Sequence, residues 1–421
     1  MSYHSEQRRS KSQKVITLPA AMKKPVPIGR PPLLRQTNAQ LLLKLLQTSG
    51  PCSRADLVRA SGLSAPTVTN VIAHLASAGL VEPLGEGDST GGRPPDILRF
   101  RAESGCVVAI EVAHRFIRLL LADLDGSELD RGEISLSWSE STPGEVCSLV
   151  AGEVRKLTRK HGHSASQLLA AVVGVPAIVD VNQGSVLEVS ALKEWSRVPL
   201  GAMLQRELKC LVVVENDTNL AAQGENYRGA ARGERDFVFI TIGDGVGAGI
   251  FVRGKLYRGS AWTAGEIGYL RVPSISRQSP VIQDYGRLEK ILGAAGILKS
   301  WQSANQKART QLKLTRAAEV FDLAAAGNAR AKRILQQRAE ILADVVLDLS
   351  LILNPSLILL GGDVGNHARL VFEVNALLEG GEFAVVPVKP GSLGSSATLW
   401  GAISIAVKAA IRCILGSPKN T

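Results

Sequence analysis

The sequence predicts an α/β protein preceded by a small winged helix-turn-helix domain. Strand-like apolar runs alternate with helical stretches over residues 102–421, which is the pattern of helices packed on sheets. Residues 37–101 instead contain three helical patterns and then two short strand patterns around a glycine-rich loop. A chain of 421 residues is too long for one core. We therefore expect a basic tail (1–36), a helix-turn-helix domain (37–101) and a larger α/β part (102–421). The strand-like runs of the last part are Val107–Ile110, Ala171–Val175, Leu211–Val214, Phe237–Ile242 and Leu357–Leu360.

The positive charge of the chain is concentrated in the predicted tail. Residues 1–36 carry eight Lys or Arg and one acid, so they hold most of the net charge of +11. Weak hydrophobic periodicity favours a disordered tail. A cationic tail beside a DNA-binding domain would raise nonspecific affinity for phosphates.

Cysteine spacing and hydropathy indicate a cytoplasmic protein. The five cysteines are scattered without a CxxC spacing, which argues against a disulfide framework and a zinc site. No secretory signal pattern is present. The longest apolar candidate for a membrane span, Ile341–Leu360, is interrupted by two aspartates, an asparagine and a proline. We therefore expect no membrane partner and no bound metal.

The segment after the tail predicts three helices. The first, over residues 37–50, places four leucines on one face: Leu41, Leu42, Leu45 and Leu46. The second begins with a capping box formed by Ser53 and Asp56. The third has Ser64 as its N-cap and a buried face made of Val68, Val71, Ile72 and Leu75.

The second and third helices predict a helix-turn-helix that reads DNA. Polar side chains on the exposed first half of a recognition helix reach base edges in the major groove. The DNA contacts that we expect here are Arg54, Ser64, Thr67, Thr69, Asn70 and His74. Val81 and residues 97–100 predict the strands of a wing, whose GGRPP loop presents Arg93 to a minor groove or to phosphates. The alternative is a three-helix interaction domain whose exposed face contacts nothing.

The motifs along the chain resemble those of the ROK family of repressors and sugar kinases. SRADLVRASGLSAPTVTNVIAHLASAGLVEP and GGRPP resemble the amino-terminal half of the repressors in this family. GVPAIVD, VVVENDTNLAAQGE, TIGDGVGAGIFVRGKLYRG, AGEIGYL and NPSLILLGG follow in the order that the family uses. The resemblance implies a two-lobed, actin-like sugar-kinase fold with a cleft between the lobes. It also implies a lobe boundary near residue 217 and a C-terminal helix that returns to the first lobe.

The resemblance also implies where a sugar binds. The implied sugar contacts are Asn216, Asp217, Glu266, Tyr269 and Glu289. Tyr269 replaces a histidine of the family and keeps the ability to donate a hydrogen bond. The alternatives are an Asx turn with Thr218 or Asn219 capping the next helix, which is compatible with binding by Asp217, and a solvent-facing helix position for Glu289. The cysteines of the family's zinc cluster are absent, so no metal is implied.

The phosphate-binding elements of the kinases are altered in this sequence. Kinases of this fold use a glycine-containing hairpin and a glycine-rich turn so that backbone N–H groups meet phosphate oxygens. In the β-hairpin predicted over residues 107–126, Ala113, His114 and Arg115 replace the glycine-containing turn, and Glu111 stands at the position of the acid. Asp244 interrupts the second turn, and a carboxylate about 4 Å from a phosphate charge costs on the order of 4 kcal/mol. We therefore expect no ATP cofactor and no catalytic residues.

Three functions follow from these observations. The leading one is a DNA-binding repressor of carbohydrate-metabolism genes. It would act as a homodimer or homotetramer that binds an operator in double-stranded DNA and a sugar or sugar phosphate in its cleft. The main alternative is an active ATP-dependent sugar kinase with a fused DNA-binding domain, in which Asp217 would take the proton from the attacking hydroxyl. The third is a regulator that has lost ligand binding and responds to a protein partner.

Overall fold

The computed structural model describes residues 31–86, 96–113, 115–136, 141–188, 193–271, 286–305, 312–380 and 386–416. Within these ranges the chain forms a small amino-terminal domain and two lobes, each lobe built on a five-stranded sheet. The predicted disorder of the tail concerns mainly residues 1–30, and these lie outside the described ranges.

The amino-terminal domain is a winged helix-turn-helix. Its elements are α1 (Pro31–Ser49), β1 (Cys52–Ser53), α2 (Arg54–Ser61), α3 (Ala65–Ser77), β2 (Val81–Glu86) and β3 (Asp96–Phe100). The strands form a sheet in the order β1-β3-β2. The predicted capping box is confirmed, because Asp56 N donates to Ser53 Oγ and Ser53 N donates to Asp56 Oδ2. Ser64 caps α3 as predicted, and the predicted apolar face of α3 is buried.

Two details of α1 differ from the sequence prediction. The helix begins at Pro31 and not at Thr37, so the predicted tail ends earlier. Proline fits the first turn of a helix because the N–H that it lacks has no partner there. In the predicted leucine face, Leu41 is 38% exposed and Leu43 is buried in its place.

The first lobe holds the hairpin that the sequence predicts over residues 107–126. Its elements are β4 (Cys106–Val112), β5 (Phe116–Asp123), β6 (Glu128–Ser135), α4 (Pro143–Lys160), β7 (Leu168–Val175), β8 (Ile178–Asp180), β9 (Ser185–Glu188), α5 (Leu200–Leu208), β10 (Leu211–Asn216) and α6 (Asp217–Arg228). The strand order is β10-β7-β4-β5-β6, with β10, β7 and β4 parallel and β4, β5 and β6 antiparallel. Parallel strands end at one edge of the sheet, so the carboxyl ends of β7 and β10 lie side by side.

The second lobe repeats this layered arrangement. Its elements are β11 (Phe237–Ile242), β12 (Val246–Val252), β13 (Lys255–Tyr257), α7 (Arg287–Leu292), α8 (Ala294–Asn305), α9 (Ala318–Ala325), α10 (Ala329–Leu353), β14 (Leu357–Gly361), α11 (Gly362–Gly365), α12 (Ala368–Leu378), β15 (Val388–Pro390) and α13 (Ala397–Ile414). The strand order is β13-β12-β11-β14-β15. The five strand-like runs of the sequence all lie within strands of the two sheets.

Helix α13 leaves the second lobe and packs against α6 and against the β4 and β7 strands of the first lobe. The pair α6–α13 crosses at two glycines. A Cβ on Gly224 would lie 2.0 Å from Ala397 O, and a Cβ on Gly401 would lie 1.8 Å from Leu220 O. Only glycine therefore allows this close approach of the two backbones.

Among the described residues, one helical segment is long and apolar enough to cross a membrane by length and composition. This segment is Gly394–Ile414, and 61% of its apolar window is buried inside the molecule. The longest apolar candidate in the sequence, the interrupted segment Ile341–Leu360, is divided between α10 and β14 in the structure. Because most of this window is buried and α13 packs on α6, β4 and β7, α13 has the burial of a core helix.

The winged helix-turn-helix domain shares a hydrophobic core with the first lobe. Its buried residues Leu42 and Leu75 belong to the same cluster as Val107 of β4 and Ile411 of α13. At the edge of this cluster Gln36 Nε2 donates to Gly416 O at 3.4 Å. The DNA-binding domain is therefore packed on the end of α13, and not only tethered through the chain.

Candidate functional site

A cleft of about 620 Å³ contains all five residues that the family resemblance implies as sugar contacts. Its wall is formed by the carboxyl ends of β7 and β10, the turn between β11 and β12, and the segment before α7. The lining includes Ala113, Glu188, Asn216, Asp217, Asp244, Trp262, Glu266, Tyr269 and Glu289. The five predicted contacts span 73 positions of the sequence, and the lining as a whole extends from Ala113 to Glu289.

Asn216 and Asp217 stand where β10 ends and α6 begins. Asn216 is itself the N-cap of α6, because its Oδ1 accepts from Asn219 N at 2.9 Å. The suggestion that Thr218 or Asn219 supplies the cap is therefore wrong. Asn216 Nδ2 donates to Ala177 O at 3.2 Å, so this side chain fixes the corner between β7 and α6 while it faces the cleft.

Asp217 is the most perturbed acid of the cleft. Its Oδ1 accepts from Thr218 N at 2.7 Å. Burial, and then the repulsion from Glu111, raise the pKa of Asp217 to about 7. Near neutral pH this carboxyl can therefore accept a hydrogen bond from a sugar hydroxyl, or donate one when it is protonated.

Glu111 is buried beside Asp217 and is paired within its own hairpin. Arg118 on β5 approaches its Oε2 at 2.6 Å with Nη2 and 2.9 Å with Nε. Burial raises the pKa of Glu111 even though Arg118 acts in the opposite direction. The acid of the hairpin is thus held by a neighbouring strand. Ala113 lines the cleft and Arg115 is exposed, while His114 lies outside the described residues.

Glu266 and Tyr269 belong to a tight turn against β12. Gly265 has a φ of +94°, and a Cβ there would lie 1.9 Å from Ala248 O, so the turn requires glycine. Glu266 is half-buried, and its pKa is raised by burial and then by the carboxylates of Glu289 and Glu188. Tyr269 lies at the lip of the cleft and is 46% exposed.

Glu289 faces the cleft from the first turn of α7. Its Oε2 accepts from Val246 N at 3.1 Å, which ties α7 to the glycine-rich turn between β11 and β12. The position of Glu289 therefore serves the structure of the cleft, and the same carboxylate is part of the cleft wall.

Gly249, the last glycine of TIGDGVGAGI, serves helix packing in this structure. A Cβ on Gly249 would lie 2.4 Å from the Cβ of Ala222 and 3.0 Å from Thr218 O, so glycine lets α6 approach β12. The exposed Asp244 lies in the same turn, on the wall of the cleft. Packing explains Gly249, and the interpretation of the whole segment as a structural turn stays a prediction.

Two side chains of the cleft wall and one buried ion pair were not predicted from the sequence. Glu188, at the end of β9, and Trp262 line the cleft. Trp262 has a φ of +64°, a conformation that is uncommon for a bulky residue and that points to a functional constraint. Glu215 is 1% exposed and pairs with Arg258 at 2.6 Å, which holds the end of β10 to the second lobe. The AWTAGEIGYL motif contained Trp262, whereas neither Glu188 nor the pairing of Glu215 had a local signal.

The predicted DNA-binding residues lie on one surface around α3. Thr69, Asn70 and His74 are exposed on this helix. Ser64 is exposed before it, with its Oγ 2.8 Å from the Oγ1 of the half-buried Thr67. This arrangement provides hydroxyl, amide and imidazole groups on one exposed face.

Two more predicted DNA contacts are Arg54, which is paired with the wing, and Arg93, which belongs to the wing loop in the sequence. The Nη1 of Arg54 lies 3.0 Å from Asp96 Oδ2 at the start of β3, and both side chains are largely exposed. This ion pair joins α2 to the wing while the arginine remains accessible. Arg93 lies outside the described residues, so its predicted contact stays a prediction.

Comparisons with known proteins place both parts of the chain. The model of the ROK family matches residues 107–409, and the model of the MarR family matches residues 37–83. The chain is 26% identical over 363 residues to the "Xylose repressor" of Caldicellulosiruptor bescii, which covers 82% of this chain and 88% of that protein. It is 28% identical over 312 residues to the "Glucokinase" of Halalkalibacterium halodurans, which covers 70% of this chain and 92% of that enzyme.

Solved structures support the same fold. The crystal structure of a ROK family transcriptional regulator, described as a homologue of the E. coli MLC protein, matches with a TM-score of 0.74 and 24% identity. The match covers 91% of this chain and 98% of that one. The predicted winged helix-turn-helix followed by an actin-like sugar-kinase fold is confirmed. Because the ROK model matches most of the chain, the chain belongs to the ROK family.

Proposed function

We propose that this chain is a transcriptional repressor of carbohydrate-metabolism genes whose affinity for an operator is controlled by a sugar in the cleft. The observation that carries the proposal is the shared hydrophobic core between the helix-turn-helix domain and the lobe that holds the cleft. Relatives named as repressors support it, and so does the match of residues 37–83 to the MarR family.

The groups of the cleft suit a sugar. Asp217 and Glu266 supply carboxylate oxygens for hydroxyl groups, and Asn216 supplies an amide. Trp262 and Tyr269 supply aromatic faces on which a sugar ring can stack. A cleft of about 620 Å³ is within the usual size range of small-molecule sites.

Helix α13 provides a physical connection from the cleft to the DNA-binding domain. At its start Thr398 Oγ1 donates to Asp217 O at 3.5 Å, and this hydroxyl also contributes to the environment of Glu111. The helix is 18 residues long, about 27 Å, and just beyond its end Gly416 O accepts a hydrogen bond from Gln36 of α1. A sugar that moves the start of α6 therefore acts on the element that supports the recognition helix. Typical coupling between two such sites is about 1–3 kcal/mol.

We also infer that the chain does not transfer a phosphoryl group. Phosphoryl transfer depends on positioning and charge neutralisation, and the ATP side of the cleft carries Asp244 in place of a hydroxyl. A carboxylate about 4 Å from a phosphate charge costs on the order of 4 kcal/mol. The ion pair between Glu111 and Arg118 further removes the hairpin acid from such a role.

An ATP-dependent sugar kinase is the second candidate. One observation favours it, because the pKa of Asp217 is raised to about 7, which suits a general base near neutral pH. The glucokinase relative points the same way.

Two assays on the full chain distinguish these functions. A gel shift with the DNA upstream of the chain's own gene, with and without a panel of sugars, tests the repressor. We expect a specific complex whose affinity one sugar changes about tenfold, and an Asp217→Asn variant that keeps the complex and loses the sugar response. Asp348→Asn, an exposed position on α10, is the matched control. A coupled ATP-turnover assay tests the kinase, and turnover that Asp217→Asn abolishes would contradict the repressor-only function.

Two further parts of the proposal concern the state of the protein. We propose a cytoplasmic homodimer or homotetramer, since a helix-turn-helix dimer reads half-sites about 34–36 Å apart. Sedimentation with and without operator DNA tests the assembly.

A further inference from the structure

The loop that follows β13 holds a bulky residue in an uncommon conformation. We call residues 258–265 the tryptophan loop, because Trp262 lies within it and lines the cleft. Trp262 has a φ of +64°, in the left-handed region that large side chains rarely adopt. Such a conformation persists only where the surrounding structure fixes it. The contacts at the two ends of the loop are therefore the ones that hold this side chain at the cleft.

The carboxyl-terminal end of the tryptophan loop is attached to the second lobe. Gly265 O accepts a hydrogen bond from Ala248 N of β12 at 2.8 Å. The loop also closes on itself, because Ala264 N donates to Arg258 O at 3.2 Å. Gly259, with a φ of +72°, allows this closure, since a Cβ there would lie 3.3 Å from the Cβ of Ala264. The loop is thus compact, and its base is formed by Arg258 and Ala264.

The amino-terminal end of the tryptophan loop is attached to the first lobe by a buried ion pair. Glu215, on the last turn of chain before α6, is 1% exposed. Its Oε2 lies 2.6 Å from Arg258 Nη2 and accepts from Arg258 Nε at 2.7 Å. Its Oε1 accepts from Asn216 N at 3.0 Å and from Asn219 Nδ2 at 3.1 Å. One carboxylate therefore joins the loop of the second lobe to the corner at which α6 begins.

We propose that Glu215 and Arg258 form a clasp between the lobes that positions the tryptophan loop for its ligand. The inference rests on the proposed sugar-binding function and adds two positioning residues to it. Neither residue belongs to the described lining of the cleft. A loop that is already fixed in its bound conformation loses less conformational freedom when a ligand binds. The clasp therefore raises the affinity for a sugar without contacting it.

The double variant Glu215→Gln with Arg258→Met separates positioning from stability. The amide oxygen of glutamine can still accept the two hydrogen bonds from its own lobe, and no buried charge is left without a partner. We therefore expect this variant to fold, and it loses only the link between the lobes. Glu373→Gln with Arg369→Met is the matched control, because that pair, 2.7 Å apart, joins two residues of the same helix outside the described lining.

Hydrogen exchange on the full chain without sugar measures the order of the tryptophan loop. The amide of Ala264 is bonded to Arg258 O, so we expect it to exchange about tenfold or more faster in the double variant. Exchange in α10 should match that of the wild type. A general loss of stability would instead accelerate exchange in the loop and in α10 together, and that result would overturn the positioning role.

Calorimetry with glucose, galactose, mannose and xylose measures the effect on affinity. For a sugar that binds the wild type, we expect about tenfold weaker binding by the double variant and no change in the control. Equal affinity of the double variant and the wild type would overturn the clasp and leave the proposed function intact. If the double variant does not unfold cooperatively, Arg258→Lys replaces it in both measurements, because lysine keeps the charge and loses the two-donor fork.

Failure of the proposed function gives a different result. Absence of binding by every sugar to the wild type would contradict that function. The exchange measurement needs no sugar and still decides on the clasp. Faster exchange of Ala264 confined to the loop supports the clasp, and exchange equal to that of the wild type overturns it.

Discussion

Asp217 makes the stability of the protein depend on pH. Burial raises the pKa of this acid to about 7 from its ordinary value of 3.8. An acid whose pKa is raised by folding stabilises the folded state below its unfolded pKa, and this contribution is lost as the pH rises through the folded pKa. We expect the Tm of the wild type to fall between about pH 5 and about pH 8 relative to Asp217→Asn. Thermal unfolding of both at several pH values measures this, and parallel curves would contradict the assignment.

The pair formed by Glu111 and Arg118 is expected to matter for folding. Removing the arginine leaves a buried carboxylate without its cation, which costs about 3 kcal/mol. Arg118→Met should therefore lower the free energy of unfolding by about this amount at neutral pH. The double variant Glu111→Gln with Arg118→Met should recover most of the loss. Urea unfolding measures both, and an additive loss in the double variant would disprove the coupling.

At the scale of residues, the sequence located the cleft but not its electrostatics. Asp217 and Glu266 were found because each lies in a short motif. Glu188 was missed because its carboxylate acts on that of Glu266, which lies 78 positions away. No local sequence pattern records such a relation. Asn216 was placed correctly in the cleft, yet its capping role was assigned to its neighbours, because several Asx and Thr side chains in one turn can each form the cap.

Helix α3 is the element that should carry sequence recognition. Asn70 is exposed in its first half, and an asparagine that pairs with adenine gives about 1–3 kcal/mol of discrimination. Asn70→Ala should weaken operator binding by about tenfold or more while sugar binding is unchanged. Ser77→Ala, at the other end of the same helix, is the control. Titrated gel shifts with operator and with random DNA measure the difference, and equal effects of both variants would remove Asn70 from the interface.

The crossing of α6 and α13 is the element-scale feature most sensitive to one methyl group. Gly401→Ala would place a Cβ 1.8 Å from Leu220 O and must separate the helices. We expect a loss of about 3 kcal/mol in the free energy of unfolding, since overpacking against backbone has no flexible neighbour to move. Gly152→Ala in α4 is the control, because nothing lies within 4 Å of its Cβ, and it should be neutral or stabilising. Chemical denaturation separates the two, and a neutral Gly401→Ala would contradict the crossing.

Elements with strong local signals were predicted well from the sequence. Helices α2 and α3 follow from their caps and apolar faces, and the strands of both sheets follow from apolar runs. The predicted face of α1 was less accurate, because five leucines and an alanine within eight positions fit more than one helical face. Packing of α1 against α2, α3 and β3 then decides that Leu43 is buried and Leu41 is exposed.

At the scale of the whole molecule, the shared core predicts that a variant can lose the coupling between sugar binding and operator binding while it still binds each ligand. Ile411 of α13 packs with the helix-turn-helix domain and is 9% exposed. Truncating it should loosen the joint between the domains. We expect Ile411→Ala to bind both sugar and operator. The ratio of its operator affinities with and without sugar should fall towards one. Gel shifts with saturating sugar measure this, and an unchanged response would exclude this route.

The division of the chain into a DNA-binding part and a two-lobed part was predictable, but the joint between them was not. Apolar residues on α13 suggest only a buried helix, and their partners on α1 lie more than three hundred positions earlier. Long-range partners of this kind become visible only when the chain is folded.

The joint also has a consequence for ionic strength. Desolvation of its ammonium group, then Arg412 and then Lys44 of α1 lower the pKa of Lys408 on α13. Lys408 and Lys44 thus repel each other across the joint between the domains, and dissolved ions weaken that repulsion. Added salt should therefore stabilise the joint between the domains while it weakens binding to nucleic acid. The same change in ionic strength thus has opposite effects on the two contacts.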